Sequence, residues 1–111
     1  MYYISLNDDL TIGFREVVMI SEELHRFLKA LASEKRQEIV FLFMERREIT
    51  VNEVSELVKI GQSTASEQLA ILKRGGLLSS RKEGKEVIYF PNRDNVQTLL
   101  QTLKDVLSNC C

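Results

Sequence analysis

The sequence has few of the residues with which small proteins compensate for a limited hydrophobic core. Only two of its 111 residues are cysteines, and they are the last two, Cys110 and Cys111. A disulfide framework has to cross-link distant parts of a chain, so this class of protein is excluded. Apolar residues make up 44% of the chain, which is enough for one domain with a modest core.

Segments that would direct the chain to a membrane are also missing from the sequence. No apolar run approaches the roughly 18 residues that a membrane-spanning helix needs. Residues 1–4 lack the basic start that a secretory signal has, and no small-residue cleavage site follows an apolar centre. We therefore expect a cytoplasmic protein that has no membrane partner.

Histidine is equally scarce, and this argues against an enzyme. The only histidine is His25, and both thiols stand at the tail of the chain. Neither a nucleophile–histidine constellation nor a glycine loop that could cradle a phosphate is present in the sequence. We expect no enzymatic activity, no catalytic residues and no resident cofactor.

Charge is unevenly distributed along the chain. Six basic and three acidic residues lie between positions 59 and 90, whereas the remainder has 9 basic and 13 acidic residues. A basic patch on a mildly acidic body is typical of a protein that contacts a polyanion with one face. Charge alone leaves a solvated surface as the alternative.

Apolar spacing and helix-start signals predict four helices between residues 21 and 74. Ser21 and Ser33 begin the first two, and Thr50 with Glu53 forms the capping box of a short third helix. The fourth runs from about residue 63, with Ser63 as a good cap, to two glycines that end it. Residues 1–20 fit a strand, a helix or a loose arm, and we treat them as an N-terminal extension.

The apolar period after residue 76 is that of strands. Residues 77–82 and 86–90 are predicted to pair as a hairpin around Gly84, and Pro91 ends the second strand. A last helix follows from Asn92, and its apolar side is wider than one small core needs. The predicted fold of residues 21–111 is mainly α with a β-hairpin wing (α+β), in the order of a winged helix-turn-helix domain.

The fourth predicted helix and the hairpin carry side chains that suit double-stranded DNA. Short hydroxyls and amides can approach base edges, and Gln68 could pair with adenine through two hydrogen bonds. Cations on the wing suit phosphates or the minor groove. Singly, each is an ordinary surface residue, but their order along one face favours DNA as the partner. The predicted DNA-contacting residues are Gln62, Ser63, Thr64, Ser66, Gln68, Arg81, Lys82 and Lys85.

Four stretches of the sequence resemble the ArsR/SmtB family of repressors. They are LASEKRQEI at residues 31–39, residues 53–57, QSTASEQLAILKRGGLL at 62–78 and RKEGKEVIYF at 81–90. The resemblance implies a homodimer, built from the first and last helices, that represses transcription until an inducer releases it. Its operator would be an inverted repeat, because a two-fold dimer presents two recognition helices about one DNA turn apart. We expect the dimer interface to include Leu24, Phe27, Val96, Leu99, Leu103 and Leu107.

The residues with which many family members bind metal are replaced in this chain. Thr50, Val51 and Asn52 stand where those members have a Cys-Val-Cys motif, and the last helix lacks their aspartate and histidine pairs. Glu67 occupies a position where histidine or arginine is common. We therefore assign no metal site.

Cys110 and Cys111 remain as a candidate thiol sensor. Thiolates bind soft metals and metalloids and react with oxidants, and some family members sense through cysteines near the C-terminus. The alternative interpretation is that Cys110 extends the apolar side of the last helix and Cys111 is a frayed end. Two functional hypotheses stay open: a repressor with an inducer, and a winged-helix module that binds a protein and has no inducer site.

Overall fold

The computed structural model describes residues 21–110, without the side chain of Cys110. The predicted N-terminal extension, residues 1–20, and Cys111 lie outside the described residues. The elements are α1 (Glu22–Leu31), α2 (Glu34–Leu42), β1 (Ile49–Thr50), α3 (Val51–Val58), α4 (Gln62–Arg74), β2 (Leu78–Glu83), β3 (Glu86–Pro91) and α5 (Arg93–Cys110). No helix in this part of the chain is both long and apolar enough to cross a membrane.

The first three helices begin with the predicted side-chain caps. Ser21 accepts a hydrogen bond from the Leu24 amide at 3.1 Å, and Ser33 accepts one from the Arg36 amide at 3.3 Å. Thr50 and Glu53 form a complete capping box, with bonds of 2.9 and 3.1 Å. Each cap satisfies main-chain donors that the first helical turn cannot pair.

α4 begins differently from the sequence-based prediction. Its N-cap is Gly61, in an extended conformation, and no side chain caps the helix. The prediction that Ser63 caps this helix is wrong, because the helix already starts at Gln62 and Ser63 lies within its first turn. The hydroxyl of Ser63 is therefore exposed on the helix surface.

The end of α4 has the predicted left-handed glycine. Gly76 has a φ of +85°, a value that favours glycine because other residues pay a steric cost there. The Leu77 amide donates to the Leu72 carbonyl at 3.0 Å and the Gly76 amide to the Lys73 carbonyl at 2.9 Å. These two bonds form a Schellman motif, which fixes where the chain leaves the helix.

The wing is the predicted hairpin with one additional strand. β2 and β3 pair antiparallel, and Gly84, with a φ of +62°, takes the first of the two loop positions, as a type II′ turn requires. β1 pairs with β3, so the strand order is β1-β3-β2. The sequence did not predict β1, because two residues are too few to show a period.

The core lies between the helices and one face of this sheet. Leu24, Phe27 and Ile39 on α1 and α2 pack with Leu69 and Leu72 on α4, and all five are at most 1% exposed. Burial of one such side chain contributes about 1.5–3 kcal/mol. Since the core holds one side of α4 so firmly, the opposite side faces outward.

Candidate nucleic-acid interface

The start of α4 presents the small polar side chains that the sequence singled out. Gln62, Ser63, Thr64 and Ser66 are all exposed within the first two turns of the helix. Glu67 is exposed on the same outward side, opposite the buried Leu69 and Leu72. The structure therefore brings four of the predicted DNA-contacting residues together on one exposed surface.

Gln68, in contrast, is turned toward α2. Its side chain is half-buried, and its Oε1 accepts a hydrogen bond from Nη1 of Arg36 at 3.0 Å. A two-bond contact with adenine would need the same amide oxygen. That role for Gln68 stays a prediction, and the bond to Arg36 argues against it.

Arg36 is a positioning residue that the sequence did not identify. Besides Gln68 it binds the end of α1, where its Nε donates to the Ala30 carbonyl at 2.7 Å and its Nη2 to the Lys29 carbonyl at 3.1 Å. One guanidinium thus joins α1, α2 and α4. Because Arg36 and Gln68 are 32 positions apart, no local pattern announces the contact.

The start of α4 is also tied to α3 and lies near the wing. Nε2 of Gln62 donates a hydrogen bond to Oδ1 of Asn52. Both residues line a cleft whose other side is formed by Lys85 and Val87 of the wing. Gln62 and Lys85, both predicted to contact DNA, therefore border the same surface depression.

The three predicted wing cations are not equivalent. All three are exposed, but Arg81 donates two bonds of 2.8 Å to Glu48 and one of 2.8 Å to Glu83. The guanidinium also lies 5.6 Å from the centre of the Phe90 ring. These carboxylates compensate the charge of Arg81, so its main effect is to hold the wing on the segment before β1.

The ion pair is visible in the acid–base properties of both partners. The hydrogen bond from Arg81 lowers the pKa of Glu48 below its ordinary value, and the bonds to Glu48 and Glu83 raise the pKa of Arg81. Each partner thus stabilises the charged form of the other. Lys73 makes a further link, since its Nζ donates to Ser80 Oγ at 2.8 Å and joins the end of α4 to β2.

The predicted dimer contacts fall into two groups. Leu24 and Phe27 are 0% and 1% exposed, so assigning them to an interface is wrong: they fill the core of their own protomer and have no surface for a partner. Leu99 is largely buried as well. Val96 and Leu103 are partly buried against the core, and the exposed apolar residues of α5 are Leu100 and Leu107.

The candidate sensor is only partly described. Cys110 is the last residue of α5, while its side chain and Cys111 lie outside the described residues. Within residues 21–110, no group of three or more histidine, cysteine, aspartate or glutamate side chains is arranged to hold a metal ion. At the position of the family's Cys-Val-Cys motif, Thr50 caps α3 and Asn52 contacts Gln62.

Known proteins resemble this chain in sequence and in structure. A family model described as "Bacterial regulatory protein, arsR family" matches residues 33–80. The transcriptional activator HlyU of Vibrio cholerae is 36% identical over 76 residues, which are 68% of this chain and 69% of HlyU. The transcriptional repressor PagR of Bacillus anthracis is 27% identical over 88 residues, or 79% of this chain and 88% of PagR.

Solved structures place the same architecture in similar proteins. The homodimeric winged helix-turn-helix DNA-binding domain Mb0332 of Mycobacterium bovis matches with a TM-score of 0.63 and 25% identity, over 96% of this chain and 91% of that domain. HlyU in a form described as reduced matches with a TM-score of 0.57 and 31% identity, over 71% of this chain and 83% of that chain. The predicted winged helix-turn-helix fold is confirmed.

Proposed function

Since the chain belongs to the arsR family of bacterial regulatory proteins, which regulate transcription, we propose that it is a repressor that binds an inverted-repeat operator as a homodimer. The observation that carries the proposal is the exposed polar surface of α4 beside the wing. Ser63, Thr64 and Ser66 can reach base edges, while Lys82 and Lys85 can reach phosphates. The protein acts where the bacterial chromosome lies, in the cytoplasm.

Binding to DNA is tested by separating affinity from sequence discrimination. Lys82→Gln with Lys85→Gln should weaken binding to every duplex alike and reduce the slope of log K against log[salt] by about 0.9 per lost phosphate contact. Ser63→Ala with Ser66→Ala should instead reduce discrimination between operator and unrelated duplex. Lys104→Gln, an exposed residue of α5, is the control for loss of one charge, and light scattering first verifies its dimer because Lys104 lies one turn from Leu100. A wild-type protein that binds no duplex at low salt would favour the alternative, a protein-interaction module.

Repression is proposed because it requires only that the dimer occupy a promoter. Relatives act in both directions, since PagR is named a repressor and HlyU an activator. Transcription in vitro from a promoter that contains the operator decides the question. Addition of the protein should lower the transcript yield, and an increase would make the chain an activator.

The dimer is proposed to form through the outer side of α5. Leu100 is 49% exposed there, and Val96 and Leu103 are only partly covered by the protomer. Exposed apolar residues that lie close together mark protein contacts. Leu100→Asp should give a folded monomer in light scattering, since Leu100 contributes little to the core. Thr98→Asp should stay dimeric, because Thr98 is exposed and lies on the opposite side of the same helix. A Leu100→Asp dimer would contradict this interface.

We propose that the inducer is a thiol-directed agent, namely a soft metal, a metalloid or an oxidant, and that it acts at Cys110 and Cys111. The chemistry of paired thiols supports the proposal, and so does the relative HlyU, which was solved in a form described as reduced. Trivalent arsenic or a thiol oxidant should release wild-type protein from the operator. The double variant Cys110→Ser with Cys111→Ser should stay bound to it. Equal release of both proteins would place the inducer elsewhere.

A further inference from the structure

A second basic surface lies beside α4, on the side away from the wing. We propose that it is a binding site for phosphates of the DNA backbone, and the proposal rests on the DNA binding proposed above. The surface is a cleft between α1, α2 and the second half of α4. We call it the basic cleft, and its cations are Arg26, Lys29, Arg36 and Arg74.

The position of the basic cleft follows from the geometry of α4. Ile71 lines the cleft, and Lys73, two residues later, bonds to Ser80 of the wing. Side chains two positions apart in an α-helix, such as those of Ile71 and Lys73, point about 200° apart around the helix axis. Lys73 beside the wing and Ile71 in the basic cleft therefore lie on opposite flanks of the helix. Arg74 lies at the far end of the outward side that carries Glu67 and borders the cleft from there.

The cleft exists because α4 approaches α1 unusually closely. A Cβ atom at Gly75 would lie 2.7 Å from Cβ of Ala30 and 3.0 Å from the carbonyl oxygen of Arg26. Only glycine permits this contact without displacing α1. The close approach brings Arg74, at the end of α4, to the same cleft as Arg26 and Lys29 on α1.

The charge of the basic cleft is largely uncompensated. Arg26 lies 3.5 Å from Glu22, and Arg36 uses its donors on two carbonyls and the neutral amide of Gln68. Lys29 and Arg74 form no ion pair with any residue that the structure describes. No carboxylate lines the cleft among those residues, so an anion would meet several positive charges there.

Duplex DNA supplies anions at the matching places. A helix with its side chains is about 10–12 Å across and the major groove about 12 Å wide, so a helix in the groove has a sugar-phosphate backbone on each flank. The wing cations Lys82 and Lys85 serve one backbone. Lys29 and Arg74 serve the other, which fixes the rotation of α4 in the groove from both sides.

Two variants test the basic cleft without disturbing the fold. Lys29→Gln and Arg74→Gln each remove one exposed charge, whereas Arg36 is left intact because it holds Gln68. Each variant should reduce the magnitude of the slope of log K against log[salt] by about 0.9. The control Lys104→Gln, once its dimer is verified by light scattering, should leave the slope unchanged. Unchanged slopes for both cleft variants, with wild-type binding intact, would overturn this inference and leave the proposed function standing.

Direct contact is tested with duplexes that each carry one uncharged methylphosphonate. At the contacted phosphates, the substitution should weaken binding of wild-type protein several-fold and have little effect on Lys29→Gln. These positions should differ from those at which Lys85→Gln loses its response. The inference fails if each methylphosphonate weakens binding of wild type and of Lys29→Gln by the same factor. It also fails if inorganic phosphate binds the cleft but the cleft variants lose as much affinity at each methylphosphonate as wild type does.

Discussion

Two arginines hold the structures on either side of α4, and they do so by different chemistry. Arg36 binds neutral acceptors: the carbonyls of Lys29 and Ala30 and the amide of Gln68. Arg81 binds two carboxylates at the exposed base of the wing, those of Glu48 and Glu83. The guanidinium of Arg36 thus forms hydrogen bonds whose acceptors do not titrate, whereas that of Arg81 forms ion pairs whose acceptors do.

The largest effect is expected at Arg36, where loss of the side chain breaks three contacts at once. Arg36→Met should lower the free energy of unfolding by about 2 kcal/mol, because two carbonyls at the end of α1 and the Gln68 amide lose a charged donor. Urea denaturation measures the change. Arg26→Met, which removes only an exposed ion pair with Glu22, should cost less than about 0.5 kcal/mol. Equal losses would contradict the special position of Arg36.

A smaller effect is expected at Gln68, the acceptor on α4. Gln68→Ala should destabilise the protein by about 1 kcal/mol, whereas Gln68→Glu keeps an acceptor for Arg36 and should be nearly neutral. If Gln68 serves Arg36 rather than a base, Gln68→Ala should lower affinity for operator and unrelated duplex to a similar extent. Loss of discrimination at a single base pair, with stability unchanged, would restore the role in base recognition.

The ion pair between Arg81 and Glu48 should contribute less to stability than the contacts of Arg36 do, and its contribution should depend on pH. Because Arg81 lowers the pKa of Glu48 below its ordinary 4.5, the ion pair stabilises the folded state above that pH, and its contribution is lost as the pH falls through the lowered pKa. Glu48→Gln should therefore reduce stability at neutral pH by less than Arg36→Met does. The difference from wild type should vanish in acid and shrink in high salt. A difference that persists in acid would mean that Glu48 acts by packing.

The smallest effect is expected at Phe90, whose ring lies beside the Arg81 guanidinium. Phe90→Leu keeps an apolar side chain at a half-buried position and removes the aromatic face with a small loss of volume, so its cost should be below that of Glu48→Gln. The two changes should also be partly non-additive, since both act through Arg81. Denaturation of the single and double variants measures this coupling, and strict additivity would show that the ring does not contribute through Arg81.

Local signals in the sequence predicted the parts of the fold that neighbouring residues determine. Thr50 and Glu53 are three positions apart and form the predicted capping box, and Gly76 ends α4 as predicted. The cap of α4 was misplaced by two residues, since Ser63 is a common cap whereas Gly61 makes no side-chain cap. A favourable residue type was here a weaker guide than the backbone conformation before it.

The parts that the sequence did not predict depend on residues far apart in the chain. Arg81 is 33 positions from Glu48, and only the fold shows that Arg81 is paired while Lys82 forms no ion pair with a described residue. Likewise, the apolar spacing of α1 predicted that Leu24 is buried but did not distinguish the protomer's own core from a dimer interface. Periodicity identifies an apolar side of a helix, and the tertiary arrangement decides what covers it.

The end of α4 is also fastened to the last helix. Nδ2 of Asn95 donates to the Gly76 carbonyl at 3.0 Å, and a Cβ atom at Gly76 would clash with that nitrogen. A bend between the two helices would have to break this bond and move the Asn95 side chain that fills the space beside Gly76. The bond couples the end of α4 to the start of α5, so we expect a shift of the last helix to reach α4 directly rather than to be absorbed between the two helices.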